Sequence, residues 1–174
     1  PYHDIHFTTT VDMFDAGKLS ELPGLLDGSR FNGAIIANTI PQDDEFAARN
    51  SIPVPVVFIG RDIPNYSSVR DSSDKTGREA ASVLFNTDSR SMAVLYARLL
   101  TQTTTARLLN FRQEAQALTG TAPYEIVAEG FTEKDGYLAM KKFLEEGRKI
   151  DGLYTIMDSL AVGAYHAIKE ERLR

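Results

Sequence analysis

The amino-acid sequence predicts an α/β fold of doubly wound parallel sheets. Along its 174 residues the hydrophobic pattern switches repeatedly between short β-rich runs and longer stretches of helical period. That alternation is what parallel strands joined by crossover helices produce. Most of the β-rich runs are continuously apolar, as expected of strands covered on both faces. With 43% hydrophobic and 25% charged residues, the composition supports one or two buried cores.

Taken in chain order, the strand candidates are 2–9, 33–38, 54–59, 92–96, 124–127 and 152–156. Helix candidates lie between them at 18–26, 43–49, 73–85, 104–118, 133–146 and 159–171. Asp43, Asp44 and Glu45 place negative charge where a helix N-terminus favours it, Thr132 reads as an N-cap, and Gly147 as a stop. Leu138, Met140, Phe143 and Leu144 read as one apolar stripe facing the core. The stretch 60–68, rich in turn formers, is the best boundary candidate. No solenoid-type repeat appears; the threonine triplets at 8–10 and 103–105 read as a strand end and a helix entrance. A strand-like beginning and a helical pattern running to Arg174 suggest a chain cut from something longer.

Several function classes are excluded by what the chain lacks. A net charge of −5 gives no basic footprint for a nucleic-acid backbone, so this piece is not expected to grip DNA itself. The absence of cysteine removes disulfides, thiolate zinc sites and a cysteine nucleophile, and leaves the compartment open. No apolar run approaches the roughly 18 residues that span a bilayer, so no membrane partner is expected. There is no nucleophile elbow, Walker loop, dinucleotide fingerprint or zinc-protease motif. His3 and His6 would point to opposite faces of a strand, which argues against a metal site. His166, Glu145-Glu146 and Glu170-Glu171 read as helix-surface or packed groups, leaving no base and no acid-base pair. The expectation is a small-molecule binder without cofactor, metal or catalytic residues, not an enzyme.

Polar residues recur just after the strands, at the edge where open α/β sheets bind ligands. They are Ala37-Asn38-Thr39, Gly60-Arg61-Asp62, the run from Val69 through Arg70 and Asp71 to Ser73, the run from Leu100 to Thr103, and Ile156-Met157-Asp158-Ser159. Each alone also reads as a cap or loop; together they outline a polar cleft.

An ordered set of landmarks then carries a family resemblance. Phe31-Asn32-Gly33-Ala34-Ile35-Ile36 is followed by Ile52-Pro53-Val54-Pro55-Val56-Val57-Phe58-Ile59-Gly60-Arg61 and by Ser68-Val69-Arg70-Asp71 leading to Gly77. Thr105-Ala106-Arg107-Leu108-Leu109-Asn110-Phe111, Gly130-Phe131 and Gly136-Tyr137-Leu138-Ala139-Met140 come next. Asp151-Gly152-Leu153-Tyr154 and Asp158-Ser159-Leu160-Ala161-Val162-Gly163-Ala164 close the set. In this order they resemble the effector-binding core of LacI/GalR-type transcriptional regulators, across nearly the whole chain.

The resemblance implies two subdomains of the periplasmic-binding-protein type closing around a ligand, with residues 1–70 in the N-terminal one and 71–174 in the C-terminal one, each incomplete. It places a first strand and helix before Pro1 and return crossovers after Arg174. It implies a cytoplasmic homodimer that contacts DNA through a headpiece absent from this chain, and an effector that is a sugar or sugar derivative, with a nucleobase second. Ligand contacts carried over are Arg61, Asp71, Thr101, Thr103, Arg107, Phe131 and Asp158. Arg107 offers paired planar donors, the threonines hydroxyls, and Phe131 a ring face; Thr103 and Asp158 also suit capping, and Phe131 a core position. Met157 stands where many relatives carry Asn, and Asn110 where they carry Gly. The alternative of the same fold is an exported sugar receptor of a transporter.

Overall fold

The computed structural model describes residues 6–70 and 72–172. Its first sheet is β1 (Ala34–Ile36), β2 (Val56–Ile59) and β3 (Ser67–Val69), all parallel and in that order. A single helix, α1 (Pro41–Arg49), connects β1 to β2. The second sheet holds β4 (Met92–Ala97) at its centre, between β5 (Tyr124–Ala128) and β6 (Gly152–Thr155), again all parallel. Its helices are α2 (Ser73–Asn86), α3 (Gln102–Thr119), α4 (Glu133–Glu145) and α5 (Asp158–Arg172). The chain therefore forms two parallel-sheet α/β subdomains.

Alternation of side chains along a strand explains how β4 serves two cores. Ala93, Leu95 and Ala97 point to one face and pack with Ile126, Met140, Phe143, Leu160 and Ala164. Met92 and Val94 point to the other and pack with Ala81, Leu108, Phe111 and Ala115. Each fully buried aliphatic or aromatic side chain stabilises by about 1.5–3 kcal/mol relative to an exposed one. Helices α4 and α5 lie close enough that only glycine fits where they meet. A Cβ on Gly163 would fall on the carbonyl oxygen of Glu133, and one on Gly136 would come within 2.6 Å of the Leu160 oxygen.

In the first subdomain a buried carboxylate fastens the chain before β1. Asp43, in the first turn of α1, is 1% exposed and accepts from the backbone N–H groups of Gly17 (3.0 Å), Leu19 (3.0 Å) and Ile40 (3.1 Å). This draws Leu19 and Leu25 into a core with Ile36, Val56 and Phe58.

Four expectations are corrected. Residues 6–9 form no strand, and 2–5, including His3, lie outside the described residues. The helix expected at 18–26 shrinks to one 3-10 turn, Leu19–Glu21, because Pro23 and Gly24 follow at once and Asp43 binds the N–H groups leading into it. Ser67 and Ser68, read as irregular, pair with Val57 and Phe58 as the start of β3. Leu138 leaves the predicted stripe and is 51% exposed, since Gly136, Met140 and Phe143 form the buried line at helical spacing. The remaining elements fall within two residues of expectation, and Thr132 caps α4 by accepting from the Asp135 N–H.

Candidate functional site

In both sheets the polar residues gather at the carboxyl ends of the strands, and these two edges meet. On the first subdomain, Asn38 turns the chain after β1 with a positive φ of 59°, and Thr39 is fully buried. The Thr39 hydroxyl donates to Asp44 Oδ1 at 2.5 Å. Arg61, after β2, is 3% exposed. Its Nε donates to the Thr39 carbonyl (3.0 Å) and hydroxyl (2.9 Å), and one terminal nitrogen donates to the Gly60 carbonyl (2.7 Å). Asp44 Oδ1 lies 3.8 Å from Arg61 Nε. Burial pulls the arginine below its ordinary pKa, opposed by the charges of Asp44 and Asp43.

The second subdomain contributes the entrance of α3. Thr101 caps it reciprocally with Thr104: the Thr101 N–H donates to Thr104 Oγ1 (2.8 Å), and the Thr104 N–H to Thr101 Oγ1 (3.3 Å). The next two side chains cross to the first subdomain. Gln102 Nε2 donates to Asp44 Oδ2 (3.2 Å) while its Oε1 accepts from the Asp62 N–H (3.0 Å). Thr103 Oγ1 donates to the Gly60 carbonyl (2.8 Å) and lies 3.4 Å from a terminal nitrogen of Arg61. Gly60 has a φ of 71°, and a Cβ there would come within 3.0 Å of Thr103 Oγ1, so the approach suits glycine on both counts.

Arg107 follows on the same helix, half-buried, and its charge bears on Tyr154 of β6. Burial raises the pKa of that phenol and Arg107 opposes the rise. The Tyr154 ring packs on Phe111 with centroids 4.8 Å apart. Phe131, between β5 and α4, is 37% exposed, and its carbonyl accepts from Ser159 Oγ at 2.5 Å. Asp158 is exposed and opens α5. Arg98, just past β4, pairs with Glu129 past β5, Nε to Oε2 at 2.9 Å, which holds the carboxyl below its usual range.

Of the expected contacts, Thr101, Thr103, Arg107, Phe131 and Asp158 thus lie at or near the carboxyl edge of the second sheet, and Arg61 at that of the first. Asp71 lies outside the described residues. In this arrangement the Arg61 guanidinium is engaged by the protein's own oxygens. Sequence reasoning missed the bridging role of Gln102, the Thr39–Asp44–Arg61 cluster and the Arg98–Glu129 pair. Thr39 and Gln102 stood inside polar segments already singled out, but nothing local marks which residue bonds across a cleft. A cavity of about 580 Å³ lies elsewhere, lined in part by Ile52, Val54, Pro55 and Tyr66. It sits at the amino ends of β2 and β3, where the Tyr66 hydroxyl is already bonded to Asn50 and Ile52. Among the described residues, no group of three or more His, Asp or Glu side chains is disposed to hold a metal ion.

The fold is similar to that of solved LacI-family transcriptional regulators, in agreement with the resemblance read from the sequence. A LacI-family transcription regulator from Clostridium acetobutylicum superposes with a TM-score of 0.79 at 23% identity, over 92% of this chain and 60% of that one. The Cra transcriptional dual regulator from Pseudomonas putida, crystallised with fructose 1-phosphate, gives 0.73 at 23% identity, over 88% of this chain and 57% of that one. In sequence the chain is 27% identical over 129 residues to the HTH-type transcriptional repressor PurR of Histophilus somni, covering 74% of this chain and 39% of the repressor. The chain therefore spans about two fifths of the length of that curated relative. No protein-family model matches it.

Proposed function

We propose that this chain is the ligand-sensing part of a LacI/GalR-type regulator and is not an enzyme. A sugar, sugar derivative or, second, a nucleobase binds between the two subdomains and changes the affinity of a linked headpiece for operator DNA. The observation that carries this reading is the meeting of two carboxyl-terminal strand edges, the place where parallel α/β sheets bind ligands. In this reading residues 1–70 and 71–174 are the two subdomains, and the protein works as a cytoplasmic homodimer. No helix among the described residues is long and apolar enough to cross a membrane.

Arg107, Phe131, Asp158 and Asp71 supply the ligand contacts: paired donors, a ring face and carboxylates. Arg61, Thr101 and Thr103 contribute by shaping the cleft, since their side-chain polar atoms are bonded to the protein. Ligand favours one arrangement of the subdomains and shifts its population, with a coupling to DNA of about 1–3 kcal/mol.

The test is a panel of sugars, sugar phosphates and nucleobases titrated calorimetrically into the full-length protein, with operator binding measured alongside. At least one member binds, binding alters operator affinity, and Arg107→Ala weakens it by about tenfold or more. Ligand binding that leaves operator affinity unchanged at saturation overturns the regulator reading; turnover of a bound ligand overturns the non-enzymatic one.

A further inference from the structure

We propose that Gln102, assisted by Thr103, is the catch that holds the two subdomains in the arrangement seen here, and that it does so by completing the buried Asp44 carboxylate. Asp44 is 8% exposed. One of its oxygens is served within its own subdomain by the Thr39 hydroxyl and the Arg61 guanidinium. The other accepts from Gln102 Nε2, a group of the opposite subdomain. A poorly solvated carboxylate oxygen that loses its donor carries a desolvation cost, so separating the subdomains at this point is opposed until water enters.

Gln102 is suited to the task because an amide carries both donors and an acceptor. The same side chain that donates to Asp44 accepts from the Asp62 N–H, gripping the loop after β2 at a second point. Thr103 adds the bond to the Gly60 carbonyl. Three hydrogen bonds involving two consecutive residues thus join the first turn of α3 to α1 and the loop after β2. Capping of α3 does not need either residue, because Thr101 and Thr104 perform it. The side chain of Gln102 is therefore free of a fold-forming duty within its helix. The catch sets the resting balance between closed and open forms whatever the ligand is, so the inference rests on the two-subdomain fold and not on the ligand-sensing reading.

The experiment measures subdomain separation directly. The 174 residues contain no cysteine, so Glu45→Cys on α1 and Lys134→Cys in the first turn of α4 place one label on each subdomain. Both positions are exposed. In the full-length protein, with any further cysteine replaced, the distance distribution between labels is recorded without ligand for five backgrounds. Wild type gives a predominant short distance. Gln102→Ala raises the ratio of long to short distances about tenfold, as loss of two hydrogen bonds implies. Gln102→Glu, which sets two carboxylates against each other, raises it further.

Adding Asp44→Asn to Gln102→Glu returns the distribution toward wild type, because the amide now donates and the carboxylate accepts. That rescue is not expected of a residue whose role is to hold its own helix together. Thr103→Val, which removes one of the three bonds, shifts the ratio less than Gln102→Ala and provides a second reading should a Gln102 variant fold poorly. Superimposable distributions for wild type, Gln102→Ala, Gln102→Glu and Thr103→Val overturn the proposal. So does a Gln102→Glu opening that Asp44→Asn fails to reverse.

Discussion

The central strands of the two sheets have similar apolar sequences and different surroundings. In β4, Met92, Ala93, Val94 and Leu95 are all buried, because helices lie on both faces. In β2, Val56 and Phe58 are buried while Ile59 is 45% exposed, and the neighbours on the same face, Ile35 of β1 and Val69 of β3, are 75% and 60% exposed. The difference follows from how many helices each sheet has at its disposal. The second sheet is served by helices of 14, 18, 13 and 15 residues. The first has one of 9 residues, and β2 reaches β3 through residues 60–66 without any helix. An apolar run identifies a strand, but it does not show whether this stretch of chain supplies cover for both of its faces.

The largest test of this comparison is truncation in the better-packed half. Phe111 is fully buried between α2, β4 and Tyr154. Phe111→Ala is expected to cost about 3–5 kcal/mol, read from the urea midpoint. Val69→Ala on the bare face of the first sheet should change stability by about 0.5 kcal/mol or less in the 174-residue chain. Equal losses at the two positions would mean that the two sheets are packed alike in solution.

A second test asks what holds the one-sided sheet together. Asp43 ties three backbone N–H groups, two of them from the segment that covers the face lined by α1. Asp43→Ala leaves those donors without their acceptor and is expected to cost about 1.5–3 kcal/mol. The loss should be concentrated in the first subdomain, with amide protons of β1 and β2 exchanging faster while those of β4 keep their protection. Uniform loss of protection across both sheets would show that the two halves unfold as one unit.

The same contrast explains what could be read from the sequence. Elements of the second subdomain were legible almost throughout, because helix and strand periods there agree with tertiary packing. Thr132 and Gly147 marked the ends of α4 by local chemistry alone. The first subdomain was legible where strands are apolar and illegible where its shape depends on distant residues. Nothing near Leu19 announces that Asp43, 24 residues on, takes its N–H. Ser67 and Ser68 have no strand signal of their own and become strand by pairing with β2. At the candidate site, polar segments singled out after the strands, among them those of Thr39, Gly60 and Gln102, lie where the two sheet edges meet. They did not reveal that Arg61 is turned inward to Thr39, or that Gln102 reaches Asp44, because both depend on how the two edges meet.

The smallest expected effect concerns a carboxylate that does for the second sheet what Asp43 does for the first, at the surface instead of in the core. Asp151, just before β6, accepts from the N–H groups of Arg90 and Ser91 at 2.8–3.0 Å, anchoring the entry to β4. Those bonds, the one from Arg90 foremost, hold its pKa below the usual aspartate value, against the opposing effect of burial. A lowered folded-state pKa means that the contribution is fully present above the ordinary aspartate range and is lost as pH falls through the folded value. Asp151→Asn should therefore melt slightly below wild type at neutral pH, by less than about 1 kcal/mol because the group is solvated. The gap should close as the pH is lowered past the ordinary aspartate range, since the wild-type carboxyl is then protonated as well. A gap that stays constant with pH would assign the loss to altered hydrogen-bond geometry and remove charge from the comparison between the two anchors.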